Sequence, residues 1–166
     1  MSRPPTIRQL HSEEDFLSCV QLLRSAFGTV AKDFSLTEAT APTNAAFTTL
    51  DNMRIHVQSG LSFYGMFRED TLIGCVAIKH SKGDNAVLYI ERLAVAPQER
   101  HRGYGEQLLF YAFELIRAKG GKTASIGLMD NNDRLKEWYK SKGFVQHDCR
   151  RIEHLPFKVC FMSMDV

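Results

Sequence analysis

The chain has 166 residues, of which 44% are hydrophobic and 24% charged, with 21 Lys and Arg against 19 Asp and Glu for a net charge of +2. That length and balance predict one domain over 1–166 with a core that needs neither disulfides nor metals. They exclude the strongly basic footprint of a nucleic-acid binder, and no apolar run approaches the roughly 18 residues of a membrane span. Cys19, Cys75, Cys149 and Cys160 form no CxxC pair. They read as reduced thiols and, with no signal-peptide pattern at the start, predict a cytoplasmic protein.

In chain order, residues 6–10 predict a strand, and Ser12 followed by Glu13, Glu14 and Asp15 predicts a capped helix start. The helix is expected to run to about residue 26, with Phe16, Leu17, Val20, Leu23 and Phe27 on one face. Residues 28–42 carry no clear period and predict a loop or short helix. A second helix is expected over 43–58, stopped by Gly60. Strands follow over 63–68 and 72–79, joined by the turn Glu69-Asp70-Thr71, and a third over 86–95 is ended by Pro97. Helical spacing returns after Gly103, with Leu108, Leu109, Ala112, Leu115 and Ile116 on one side up to Gly120-Gly121. Residues 123–129 predict a strand, 134–142 a helix, and 144–151 and 157–164 the last two strands. This order indicates an α/β or α+β protein with about seven strands and four helices.

The segment from Val95 to Leu109 passes from strand through a polar turn into helix. A helix N-terminus offers amides without intrahelical partners, and its dipole favours an anion, so the turn suits a phosphate. Gly103 and Gly105 allow close approach to the backbone, while Arg100, His101 and Arg102 add positive charge. The dinucleotide fingerprint fails here because Leu108 stands where its third glycine belongs. Gly121-Lys122-Thr123 fails as a P-loop, because Ile116 occupies its first glycine position and the tripeptide follows a helix. Taken alone, the glycine pair is also compatible with a helix start that binds nothing.

Arg100-x-x-Gly103-x-Gly105, following Tyr89-Ile-Glu-Arg-Leu-Ala-Val95, resembles the [Q/R]-x-x-G-x-[G/A] motif of the GNAT superfamily of acetyl-CoA-dependent N-acetyltransferases. Downstream, Asn132 lies seven residues before Tyr139, and Tyr139-x-x-x-Gly143-Phe144 resembles that family's N-x6-Y-x3-G-F segment. One position departs from the pattern: Leu135 stands where the family often has a small residue.

The resemblance implies a mixed GNAT-type sheet splayed at its centre, where residues 91–95 and 123–129 part. Acetyl-CoA is the implied co-substrate, with its pantetheine arm against the backbone of Leu93, Ala94 and Val95. Its pyrophosphate would lie on the turn Arg100, His101, Arg102, Gly103, Tyr104 and Gly105, with Asn132 and Tyr139 beside the cofactor. The implied reaction is acetyl transfer to a primary amine by direct attack in a ternary complex. Tyr139 is the expected acid toward coenzyme A and Glu91 the expected base, while backbone amides near Leu93 to Val95 polarise the thioester carbonyl.

The implied acceptor is a small-molecule amine or a peptide or protein amine, framed by residues 27–44 and 150–157. Asp33, Glu38, Asp148 and Glu153 in or near these segments are acids that attract a cation or are simply solvated. A non-catalytic acyl-CoA sensor is the alternative, and retention of Glu91 and Tyr139 favours the enzyme. No metal is expected: His147, Asp148, Cys149, His154 and Cys160 match no zinc spacing, and strand alternation scatters them over two faces. The apolar last strand, with Phe157, Val159, Phe161 and Met162, would pair with a second copy in a homodimer if it lay at a sheet edge. On this reading the 166 residues leave no room for a separate substrate domain.

Overall fold

The computed structural model describes residues 3–166. Its strands are β1 (Thr6–Gln9), β2 (Ser62–Arg68), β3 (Thr71–His80), β4 (Val87–Val95), β5 (Thr123–Met129), β6 (Val145–Arg151) and β7 (Lys158–Asp165). Its α-helices are α1 (Glu13–Asp33), α2 (Leu50–Gln58), α3 (Tyr104–Ala118) and α4 (Asp133–Ser141). All seven strands join one sheet in the order β1-β2-β3-β4-β5-β7-β6, antiparallel except where β4 meets β5. Leu108, Leu109, Ala112 and Ile116 of α3 bury one face of the sheet against Val76, Ile78, Leu88 and Ile90. Cys19, Val20, Leu23 and Ala26 of α1, with Met53 of α2, cover the other face at Phe63, Cys75, Ala77 and Ala94. Among the described residues, no helix is long and apolar enough to cross a membrane.

The start of α1 follows the sequence closely. Ser12 accepts from the Asp15 amide at 3.0 Å, and the Asp15 carboxylate accepts from the amides of His11 (3.0 Å) and Ser12 (3.4 Å). Arg8 of β1 closes the arrangement with two 2.8 Å bonds to that carboxylate. The Arg8 hydrogen bonds, followed by those of the two amides, outweigh burial and hold Asp15 well below the usual carboxylate range. A depressed folded-state pKa stabilises the fold above the unfolded value near 4, and the contribution is lost as pH falls through the folded value. Asp15→Asn is therefore expected to cost about 2 kcal/mol at pH 7, a figure discounted for the exposed Arg8, and the loss should shrink below about pH 3. Urea midpoints at the two pH values measure it.

Two boundaries differ from expectation. α1 continues seven residues past Ala26, through Gly28, because Ala31 finds a buried place and the Thr29 hydroxyl bonds Ala26 O at 2.9 Å. One helical glycine costs only about 1 kcal/mol, which these contacts offset. The expected helix over 43–58 is broken into a 3-10 turn, Ala45–Phe47, and α2. Arg24 holds the Thr48 carbonyl at 2.9 Å, and Thr49 starts a new capping box with Asn52, so the chain turns between them.

One open alternative is resolved and one expectation is corrected. β7 lies between β5 and β6 with both edges paired, so it offers no edge to a second copy. The exposed outer strand is β6, whose charged Asp148, Arg150 and Arg151 guard that edge. Cys149 and Cys160 are register partners on β6 and β7 and are joined by a disulfide, whereas Cys19 and Cys75 are free and buried. Alternation along each strand does not separate the two sulfurs, because they belong to paired strands and point to the same face.

The splayed strands and the α3 turn

β4 and β5 pair only over Val87–Thr123, Leu88–Ala124 and Tyr89–Ser125. Beyond these residues β4 remains bonded to β3 alone and β5 to β7 alone, so the facing edges of residues 90–95 and 126–129 are left open inside the sheet. This is the expected splay. It brings Leu93, Ala94 and Val95 to one wall of the gap.

At the end of β4, a 3-10 turn (Pro97–Glu99) leads to Gly103, whose φ of +80° caps α3. His101 also takes positive φ, at 64°. The first hydrogen bond of α3 runs from the Gln107 amide to Gly103 O at 3.1 Å, which leaves the amides of residues 103–106 without backbone acceptors among the described residues. A Cβ at Gly103 meets nothing within 4 Å, and one at Gly105 lies 3.8 Å from Trp138 and 3.9 Å from Val95. Open space above a run of free amides fits a phosphate group. Glu106 in the first turn of α3 would oppose an anion, but Lys142 after α4 pairs with it.

The turn is braced from beneath. Arg68 donates to Glu99 (2.9 Å) and to the Tyr104 hydroxyl (2.6 Å), and Arg102 lies 3.5 Å from the second Glu99 oxygen. The Arg100 guanidinium donates to Thr29 Oγ1 at 3.0 Å and to Ala26 O at 2.9 Å, fastening the turn to α1. Arg100→Ala is accordingly expected to cost about 2 kcal/mol in stability. It should weaken anion binding without changing the salt dependence of that binding, whereas a lost phosphate contact would flatten the salt slope. Titrations at two ionic strengths tell the two apart.

Asn132 caps α4 by accepting from the Leu135 amide at 3.2 Å, so its carbonyl oxygen serves the helix. Tyr139 is buried in the α3 side of the core, edge-on to Trp138 at 5.0 Å and to Phe144 at 5.3 Å. Burial pushes its phenol well above the usual range, so it remains protonated.

Glu91 lies on the other face. Its register partner is Ala77, which packs under α1, while Ile78–Ile90 faces α3. The register then shifts: Cys75 pairs with Ala94, and Arg92 takes a φ of 54°. This bulge turns Arg92 toward α2, where Nη2 stands 3.5 Å from His56 Nε2. The buried Cys75 thiol supports it by donating to the Arg92 carbonyl at 3.3 Å. His56 is held below its ordinary pKa by burial first and by Arg92 next, partly countered by Glu91. The bulge was not read from the sequence, in which His56 has no identifiable partner and reads by default as a packing or surface residue. One signal was there: Ile90 and Leu93 are both apolar and face α3, but stand three residues apart, which strict alternation does not allow.

The sequence profile of the acetyltransferase (GNAT) family matches residues 21–144. The chain belongs to the GNAT acetyltransferase family. Three solved structures are similar to this GNAT protein in fold. PaiA N-acetyltransferase from Thermoplasma acidophilum, in complex with coenzyme A, is 20% identical with a TM-score of 0.79, covering 99% of this chain and 100% of its own. The ribosomal-protein-S18-alanine N-acetyltransferase from Escherichia coli is 14% identical with a TM-score of 0.75, covering 98% and 94%. An N-acetyltransferase from Staphylococcus aureus is 14% identical with a TM-score of 0.70, covering 98% and 99%. No curated protein matches the sequence.

At the far end of β5, a cavity of about 140 Å³ is lined by Phe34, Leu36 and Thr40 after α1, by Met129 and Asn131, and by Pro156 and Phe157 before β7. It joins the two segments the GNAT resemblance assigned to the acceptor. Behind it, ligand atoms of Asp130, Cys149 and Cys160 lie within 4.8 Å of one another. With the sulfurs bonded together they present no thiolate to a metal, and the 3.0 Å approach of Cys160 to Asp130 lacks a donated proton.

Proposed function

We propose that this GNAT protein transfers an acetyl group from acetyl-CoA to a primary amine, with both substrates bound together. The observation that carries the reading is the parting of β4 and β5 after Tyr89–Ser125, beside four consecutive amides, residues 103–106, with no backbone acceptor. In this reading those amides bind the pyrophosphate, and the open β4 edge near Leu93, Ala94 and Val95 pairs with the pantetheine amides. The same edge polarises the thioester carbonyl as an oxyanion-hole donor does.

Glu91 and Tyr139 approach from opposite faces of the sheet, which suits their assigned tasks. Glu91 accepts the proton of the attacking amine, directly or through water. The new C–N bond forms as the C–S bond breaks, and Tyr139 donates its proton to the departing sulfur. The cavity between the 34–40 and 156–157 segments supports an acceptor site at the place the resemblance assigned to it.

Release of coenzyme A, measured on a panel of amines, tests the reading. Glu91→Gln should lower kcat/KM for a responding amine by about 100-fold at neutral pH. Acetyl-CoA binding with no amine acetylated would contradict transfer and favour an acyl-CoA sensor.

A further inference from the structure

The β4 bulge does something that plain alternation forbids. Arg92 would otherwise enter the apolar layer under α3, next to Val76 and Leu93; with φ at 54° it sits beside Glu91 on the α2 side. A left-handed conformation in a residue other than glycine is strained, and such strain concentrates at working sites.

What surrounds Arg92 is unusual for a half-buried guanidinium. Among the described residues it has no carboxylate within ion-pair distance, and its polar neighbour is His56, at 3.5 Å. His56 is kept neutral by burial and by Arg92 itself, so it accepts a hydrogen bond without cancelling the charge. Lys79, from β3, adds a second cation and donates to Ser59 Oγ at 3.3 Å. The titratable groups facing one another here are Lys79 from β3, Glu91 and Arg92 from β4, and His56 from α2. A guanidinium and an ammonium thus stand against one carboxylate, on the face from which an amine would reach Glu91.

From this we infer that the acceptor is a small amine carrying its own anionic group, which Arg92 binds while Glu91 takes the amine proton. The inference rests on the acetyl-transfer reading above. A guanidinium fork fits a carboxylate or a phosphonate with two parallel hydrogen bonds. Because Glu91 and Arg92 are adjacent in the chain, with Cα atoms about 3.8 Å apart, the amine and the anion belong within a few bonds of each other. An amino acid or an aminoalkylphosphonate meets that description. A linear polyamine does not, since its second ammonium would face Arg92 and Lys79.

A matched panel tests it: free amino acids, the same amino acids as C-terminal amides, aminoalkylphosphonates, and linear diamines, each assayed for coenzyme A release. The wild type should prefer the acid over its amide by about 10- to 100-fold in kcat/KM, the effect of one charge-assisted contact. Comparison of the carboxylate and phosphonate arms identifies the anion. Arg92→Gln should bring the acid-to-amide ratio close to one, chiefly through KM, and Arg92→Lys should restore part of it. Acetyl-CoA titration of each variant, followed by the fluorescence of Trp138, the single tryptophan, checks that the fold persists. Preference for amides or diamines, no turnover of any anionic amine, or an unchanged ratio in Arg92→Gln overturns the inference. Failure of acetyl-CoA to bind the wild type overturns instead the reading beneath it.

Discussion

Tyr139→Phe is expected to lower kcat about 100-fold while changing stability by less than about 0.5 kcal/mol. The two effects separate because the ring and the hydroxyl do different things. The ring is held edge-on by Trp138 and Phe144 in the core under α3, contacts that phenylalanine keeps. The hydroxyl is the part assigned to the leaving sulfur. Since burial raises its pKa above the ordinary value near 10, the wild type should show no Tyr139-linked loss of rate at any pH below about 10. Steady-state kinetics from pH 6 to 10, with thermal unfolding of both proteins, measures these outcomes. A Phe variant with full kcat would mean that the sulfur is protonated from elsewhere.

Gly103→Val should weaken acetyl-CoA binding by about 100-fold, because a branched side chain at the head of α3 covers the amides that hold the phosphates. Its φ of +80° makes the substitution strained, by about 1–2 kcal/mol, yet a Cβ there meets no other atom within 4 Å. The affinity loss therefore exceeds what destabilisation explains. Gly105→Ala is the control. Its Cβ falls at ordinary contact distance from Trp138 and Val95, and binding should stay within about threefold of wild type. Calorimetric titration of the three proteins compares them directly. Equal affinities in wild type and Gly103→Val would move the phosphates off this turn.

Much of this architecture was legible in the sequence, and the reasons are local. β5 was expected at 123–129 and is found there, and the cap at Ser12 and the glycine at the head of α3 act as their residue types require. Where pairing partners decide the outcome, the sequence was less informative. Arg100 was placed at the phosphate turn by its motif position, while its side-chain partners, Thr29 and Ala26, stand over 70 residues earlier and could not be read from it. Cys149 and Cys160 meet because β6 and β7 pair antiparallel in a register that sets them opposite each other, and periodicity within each strand does not express that register. His56 has no chemical neighbour in the sequence, and α2 brings it to Arg92 only after the bulge forms. The splay itself came from the GNAT resemblance, since nothing in the separate patterns of β4 and β5 tells where their pairing stops.

The α3 turn and the open edges of β4 and β5 are expected to form one acetyl-CoA site. Isothermal titration of the protein with acetyl-CoA near pH 7.5 tests this most directly. Saturable binding of one molecule per chain, with Kd between about 1 μM and 1 mM, is the predicted result. A flat titration up to about 1 mM, the top of that range, would contradict it.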